Sequence, residues 1–241
     1  MNIVNVQQID LTQYGLAPHP AVFELDIQIS KAQIPVEAMQ IITWLQDTSW
    51  LADLDDIDHA NYLACAEPTI TKLCQMIIDE YLSASYTPGK LKDDLGEYLV
   101  SMNAQEALVR AFTHAKIPLA ELWKEKVAGN PGFDFHTLST SDIIVYGEAK
   151  YKSKQNGYYD AFNQIDDFIK NNKMNRELRH LRVLASENAA LNASMGHLGF
   201  AAAFSVCTKN LGNIISNAIQ YSTFKSLLSY PEIYLITLEI I

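Results

Sequence analysis

Apolar residues recur at Phe23, Leu25, Ile27 and Ile29 with polar residues between them, a period of two that predicts a strand over residues 22–29. The rest of residues 1–30 is mixed. Residues 36–46 read as a helix, and Leu73, Ile77 and Tyr81 fall on one stripe of a second helix over 69–82. Thr87-Pro88-Gly89 breaks the pattern. Asp93 or Asp94 can then cap a helix running to about residue 115. Residues 118–126 read as a strand, Gly129-Asn130-Pro131-Gly132 as a turn, and 133–136 as a short strand. The strongest strand covers 142–152, where Ile143, Ile144, Val145 and Tyr146 follow one another. Asn156-Gly157 ends it. Residues 158–170 form an amphipathic helix with Tyr158, Phe162, Ile165 and Ile169 on one side. Helix is expected to continue to about residue 228, and after Pro231 a last strand runs over 234–241. No internal repeat or low-complexity segment interrupts this α/β pattern.

The length of 241 residues fits one large domain, or one domain with an extension. An apolar fraction of 49% against 19% charged residues supplies a core and excludes a disordered chain. The longest apolar run, 198–207, falls short of the ~18 residues that cross a bilayer. Residues 1–5 lack the basic start of a signal peptide, so a cytoplasmic location is expected. Cys65, Cys74 and Cys207 form neither a disulfide framework nor a zinc pattern and read as buried free thiols. The net charge of −10 argues against nucleic acid until its distribution is seen. Residues 1–89 hold 12 Asp and Glu against Lys31 and Lys72 alone, whereas residues 90–241 are neutral. The chain therefore divides into an acidic, mainly helical N-terminal region, 1–89, and a core, 90–241. The acids at 53–58 match no calcium loop. The densest basic stretch is Lys150, Lys152, Lys154, Lys170, Lys173, Arg176, Arg179 and Arg182.

The candidate chemistry lies on the strongest strand. In Gly147-Glu148-Ala149-Lys150, residues two apart share a face, so Glu148 and Lys150 point one way and Ala149 the other. A carboxylate and an ammonium at the end of an apolar strand are costly unless paired or bound to a metal. Asp134 stands between Phe133 and Phe135, which take one face and leave Asp134 the other. If the two strands are antiparallel neighbours, Asp134 meets Glu148. Two carboxylates suit a hard cation such as Mg²⁺, which stabilises charge on a phosphoryl group, and the lysine can orient or deprotonate a water. Glu97 shares a helical stripe with Val100, Ala104, Leu108 and Ala111, which points it at the sheet; a position near the helix N-terminus, where the dipole favours an acid, explains it equally simply. Gln164 lies at the shoulder of the next helix's apolar stripe. His136 either touches substrate or is a structural histidine.

Gly132-Phe133-Asp134, then Gly147-Glu148-Ala149-Lys150, then Gln164 on the following helix resembles the PD-(D/E)XK nuclease superfamily over roughly residues 90–170. Phenylalanine replaces the family's proline before Asp134. Within the superfamily, Asp94-Leu95-Gly96-Glu97 ahead of the Glu148–Lys150 motif is similar to the HamA subunits of the Hachiman anti-phage system and to AbpA proteins. The resemblance implies a restriction-endonuclease-like core of helix, three strands, helix and strand. It implies catalytic Glu97, Asp134, Glu148, Lys150 and Gln164, with Mg²⁺ or Mn²⁺ held by Asp134, Glu148 and the Ala149 carbonyl. Glu97 becomes an outer or second-metal carboxylate, and Lys150 positions the water. It also implies DNA as target and a HamB-like helicase as partner. Lys152, Lys154, Lys173, Arg176, Arg179 and Arg182 are the expected phosphate contacts, and the acidic region is expected to dock the partner and restrain cleavage. The lack of a base-reading module favours low sequence specificity. Two alternatives stand beside this reading: a catalytically silent DNA- or helicase-binding subunit, and a sequence-specific restriction endonuclease.

Overall fold

Residues 1–82, 93–124, 132–207 and 210–241 are described by the computed structural model of the chain. The first strand, β1 (Asn2–Gln8), forms an antiparallel pair with β2 (Val22–Ile29), where alternation had predicted a strand. Helix α1 (Ile34–Gln46) begins two residues earlier than its periodicity indicated, with Pro35 in its first turn, where a missing N–H costs nothing. Helix α2 (Asp56–Ile77) begins thirteen residues before the expected 69, and a π turn carries it on over Ile78–Leu82. The Asp55 carboxylate accepts from the amides of Ile57 and Asp58, so one of the acids at 53–58 is the cap that starts the helix. The break at 87–89 and the capping side chains of Asp93 and Asp94 lie outside the described residues.

Helix α3 (Asp93–Phe112) is followed by the two-residue β3 (Ala115–Lys116). Residues 118–124 are not the strand that was expected: Ala120–Trp123 form the short helix α4. Residues 129–131 of the expected turn lie outside the described residues. The short strand begins at Phe135, as β4 (Phe135–Leu138), and β5 (Ile144–Lys150) occupies the strongest predicted position. Helix α5 (Tyr158–Lys170) keeps its expected bounds. The helical reading of 170–228 is interrupted: α6 (Lys173–Leu184) and α7 (Glu187–Ser194) lead into a strand, β6 (Gly199–Val206), before α8 (Leu211–Gln220) and α9 (Ser222–Leu227). The chain ends on β7 (Glu232–Ile240).

The strands make one mixed sheet in the order β1-β2-β7-β6-β5-β4-β3. The pairs β5–β6, β6–β7 and β7–β2 are parallel, and the outer pairs are antiparallel. One face carries the apolar sides of α1, α2 and α3, including Ile41, Leu73, Leu99 and Leu108, against Leu25, Val145 and Ala203. The other carries α5 to α9, with Phe162, Ile165, Leu181, Ile219 and Phe224 against Tyr146, Phe200 and Phe204. All eight residues of β6 are buried, as expected of a parallel strand covered on both faces.

The boundary at 89/90 does not divide this sheet, because β2 from the acidic region lies beside β7 from the chain end. Many acids of that region are built into the fold. Asp10 and Asp55 cap helices, and Glu24, Asp26 and Glu37 are buried. Of the thiols, only Cys74 is buried; Cys65 is half-buried and Cys207 exposed. Among the described residues no helix is long and apolar enough to cross a membrane.

Candidate active site

The carboxyl-terminal end of β5 gathers the titratable side chains. Antiparallel pairing sets Phe135 opposite Gly147, and the Asp134 amide donates to the Gly147 carbonyl at 2.9 Å. Gly147 has to be glycine, because a Cβ there would overlap the Phe135 ring. Asp134 itself precedes the strand at a bend. This corrects the expectation that Phe133 and Phe135 share a face: Phe133 enters the layer of α5, and Phe135 enters the layer of α3. The bend places the half-buried Asp134 carboxylate at the strand end, where its Oδ2 accepts from the Ala149 amide at 2.8 Å.

Glu148 is fully buried, and its Oε1 receives the Lys150 ammonium at 2.7 Å. Its Oε2 is buried and receives no N–H, and the Asp134 carboxyl is the neighbour of this side chain. Ala149 points into the opposite layer. From α3, Glu97 Oε1 comes within 3.6 Å of Lys150 Nζ, with 39% of its side chain still exposed. The helix lies this close because Gly96 has no side chain, and a Cβ there would overlap the Tyr151 ring. Glu97 thus sits on the stripe of the buried Val100, Ala104 and Leu108 and also near the helix N-terminus.

Burial raises the carboxyls of Asp134 and Glu148 above their ordinary values, Glu148 well above. The neighbouring Asp134 charge pushes Glu148 further up, and Lys150 pulls both down. Glu97 is also raised by burial, against the pull of Lys150. Burial works to lower the Lys150 ammonium, but Glu148 and Asp134 outweigh it and hold it above the ordinary lysine value. The three acids therefore favour holding protons here, Glu148 most strongly, and Lys150 is the cation paired with Glu148 and Glu97.

Beside these groups lies a cavity of about 180 Å³ lined by Glu97, Tyr98, Ser101, Glu121 and Asp134. The Tyr98 hydroxyl donates to Glu121 Oε1 at 2.6 Å. Sequence reasoning missed Glu121, because 118–126 was read as a strand, and with it the contact that Tyr98 of α3 makes. The signal was present in Pro118-Leu119-Ala120-Glu121, a proline followed by an acid in a first helical turn.

Glu97, Asp134, Glu148, Ala149 and Lys150 come together. Gln164 does not join them by any hydrogen bond among the described residues; it is half-buried on α5. Lys152 bonds Asp160 at 3.1 Å, Lys154 is exposed, and Lys173 is half-buried. Arg176, Arg179 and Arg182 are exposed on α6, away from its buried Met174, Glu177 and Leu181. His136 is wholly buried and bonded to Glu177 at 2.7 Å, so it is a structural histidine and does not reach substrate.

Among the described residues, no three His, Cys, Asp or Glu side chains form a group able to hold a metal by themselves. Asp134 and Glu148 are two neighbouring carboxyls, Glu148 paired with Lys150 and Asp134 lining the polar cavity. That is an oxygen donor set of the kind Mg²⁺ takes while keeping several waters. No protein-family model, curated protein or solved structure matches the chain.

Proposed function

We propose that the chain is a metal-dependent DNA endonuclease that hydrolyses phosphodiesters with low sequence specificity. The observation that carries the reading is the buried Glu148, with one oxygen on the Lys150 ammonium and its carboxyl against that of Asp134 at a strand end. Isolated buried carboxylates are costly, and a pair of them held this way is accounted for by a cation that neutralises both. Support also comes from the order of elements. Helix α3 precedes the antiparallel β3, β4 and β5, with the short α4 between β3 and β4, and after α5, α6 and α7 the strand β6 lies parallel to β5. With these added helices, the order is compatible with a restriction-endonuclease-like core.

In this reading Asp134, Glu148 and the Ala149 carbonyl hold Mg²⁺ or Mn²⁺. When bound, the ion supplies Lewis-acid stabilisation of charge on the phosphoryl oxygens. The Asp134 carboxylate, tied to the Ala149 amide, keeps its place relative to Glu148. Lys150 holds the water and adds a positive charge beside the reacting phosphate. Glu97 and Glu121 orient waters across the cavity. Lys152, Lys154, Lys173 and the α6 arginines hold the flanking phosphates. Gln164 is on the helix adjoining β5 and reaches the site only through substrate or water. A helicase partner and a role in defence against phage rest on the resemblance of Asp94-Leu95-Gly96-Glu97 and Gly147-Glu148-Ala149-Lys150 alone.

The test combines calorimetric titration with Mn²⁺ and digestion of plasmid DNA with Mg²⁺, Mn²⁺ or EDTA. Metal binding, with metal-dependent conversion of plasmid to a smear, is expected. Discrete bands point to the restriction enzyme instead. A folded chain that neither binds Mn²⁺ nor cuts overturns the proposal in favour of a silent binding subunit.

A further inference from the structure

Asp134 lies in a stretch of backbone that the sheet does not hold on its amino-terminal side, because β4 begins only at Phe135. Asp134 itself is tied to β5 through its amide and its carboxylate, and what holds the residue before it is one carboxylate on a different helix. Glu177 is the single buried acid of α6, 4% exposed. Its Oε1 accepts from the Phe133 amide at 3.2 Å and pairs with the Lys124 ammonium. Its Oε2 bonds His136 at 2.7 Å. The three partners flank the Asp134 segment: Phe133 immediately before it, His136 two residues after it, and Lys124 at the end of α4. Gly132 completes the fit, since a Cβ there would overlap both the Lys124 ammonium and the Glu177 carboxylate.

We infer that Glu177 is a positioning residue that fixes the backbone of 132–136, and with it the carboxylate of Asp134, for metal binding. The inference rests on the metal site proposed above. A Phe133 amide left without a partner would be a buried donor with nothing to receive it, and it could be satisfied only by a shift of this segment. A shift of the segment moves Asp134 directly, whereas Glu148 stays on the rigid centre of the sheet. Removal of a group that orients a ligand without touching the metal costs ~10–100-fold in affinity.

The test measures Mn²⁺ affinity by calorimetry, without reference to cleavage, in the full chain and its variants. Glu177→Ala, which leaves the Phe133 amide without its acceptor, is expected to weaken Mn²⁺ binding by at least ~10-fold. Lys124→Gln, which removes one partner but leaves the carboxylate, is expected to weaken it by a smaller factor. Leu181→Ala serves as the comparison, because Leu181 is fully buried on the same helix. It is expected to lower the melting temperature while keeping wild-type Mn²⁺ affinity. Folded Glu177→Ala with wild-type affinity overturns the inference. So does loss of affinity in Leu181→Ala in step with its stability, which would make Glu177 merely structural. If Glu177→Ala does not fold, Lys124→Gln decides, and unchanged affinity there overturns it. Absence of Mn²⁺ binding by the wild-type chain is a separate result that removes the metal site itself and this inference with it.

Discussion

The carboxylate of Asp134 accepts a hydrogen bond from the main-chain amide of Ala149 at 2.8 Å, which ties the acid before β4 to the peptide between Glu148 and Lys150. This bond joins the two halves of the candidate site. Glu148→Ala and Lys150→Ala each remove one member of the 2.7 Å pair. Each is expected to lower the rate of DNA cleavage by at least ~10²-fold, the usual cost of one preorganised electrostatic group. Circular dichroism checks the fold, and plasmid digestion reads the rate. Wild-type cleavage by either folded variant would remove these residues from the catalytic centre.

Gly96 makes a second prediction, of a sign opposite to the usual helix rule. Glycine inside a helix ordinarily costs about 1 kcal/mol relative to alanine. Here the alanine methyl would meet the ring of the buried Tyr151, so Gly96→Ala must push α3 away from the end of β5. A loss of ~1–3 kcal/mol in urea denaturation is expected, as for overpacked cores. Cleavage should fall too, because Glu97 follows directly. A gain in stability would mean that the ring yields and the close approach is incidental.

These two positions also show what the amino-acid sequence reveals. The pair Glu148 and Lys150 was legible because a two-residue spacing on a strand dictates a shared face. Helix α5 was legible because it has one wetter and one drier side, and strand β2 because apolar and polar residues alternate along it, although Glu24 and Asp26 are buried. Strand β6 was not, because Gly-Phe-Ala-Ala-Ala-Phe-Ser-Val is buried on both faces and has no alternation to read. Its alanines also favour a helix when taken locally. Strand β1 was missed because its polar residues face partners and solvent alike, as in Asn5 to Asp26 and Gln7 to Glu24. Glu121 and Glu177 reach the site from other helices, and no local spacing reports a contact made across the fold. Asp134 was named from an assumed strand alternation, whereas its place is set by a bend, which no strand pattern contains.

Glu24 predicts how stability depends on pH. It is buried on β2, with Gln7 Nε2 donating to its Oε2 at 2.7 Å and Asp26 beside it. Asp26 in turn accepts from Asn5 and Thr237. Burial, reinforced by the Asp26 charge and opposed by the Gln7 bond, pushes the Glu24 carboxyl from 4.5 up to about 7. The folded protein thus holds this proton more tightly than the unfolded chain does. Its contribution to stability is complete below pH 4.5 and is lost as pH rises through 7, by roughly 3 kcal/mol at most. Glu24→Gln keeps the shape without the charge. Its stability relative to wild type is expected to grow in the variant's favour between pH 4.5 and pH 8, measured by urea denaturation at several pH values. A difference independent of pH would show that Glu24 titrates as an ordinary glutamate.

The last prediction concerns how a chain of net charge −10 meets DNA. The acids do not form one repelling surface, since Glu24, Asp26 and Glu37 are buried and Asp10 and Asp55 cap helices. Arg176, Arg179 and Arg182 are exposed on the outer side of α6, whose inner side carries Glu177 against the backbone of Phe133. A phosphate bound by these arginines would lie on the helix that braces the Asp134 segment. If they bind the DNA backbone, each contact releases condensed counterions. The slope of log K against log salt then falls in magnitude by up to ~0.9 for each contact removed. Replacement of all three by glutamine is expected to weaken binding to a duplex uniformly across sequences and to flatten that slope by up to ~2.7. Fluorescence anisotropy at several salt concentrations, with EDTA present to prevent cleavage, gives both quantities. An unchanged slope would assign this face of α6 to a protein partner instead.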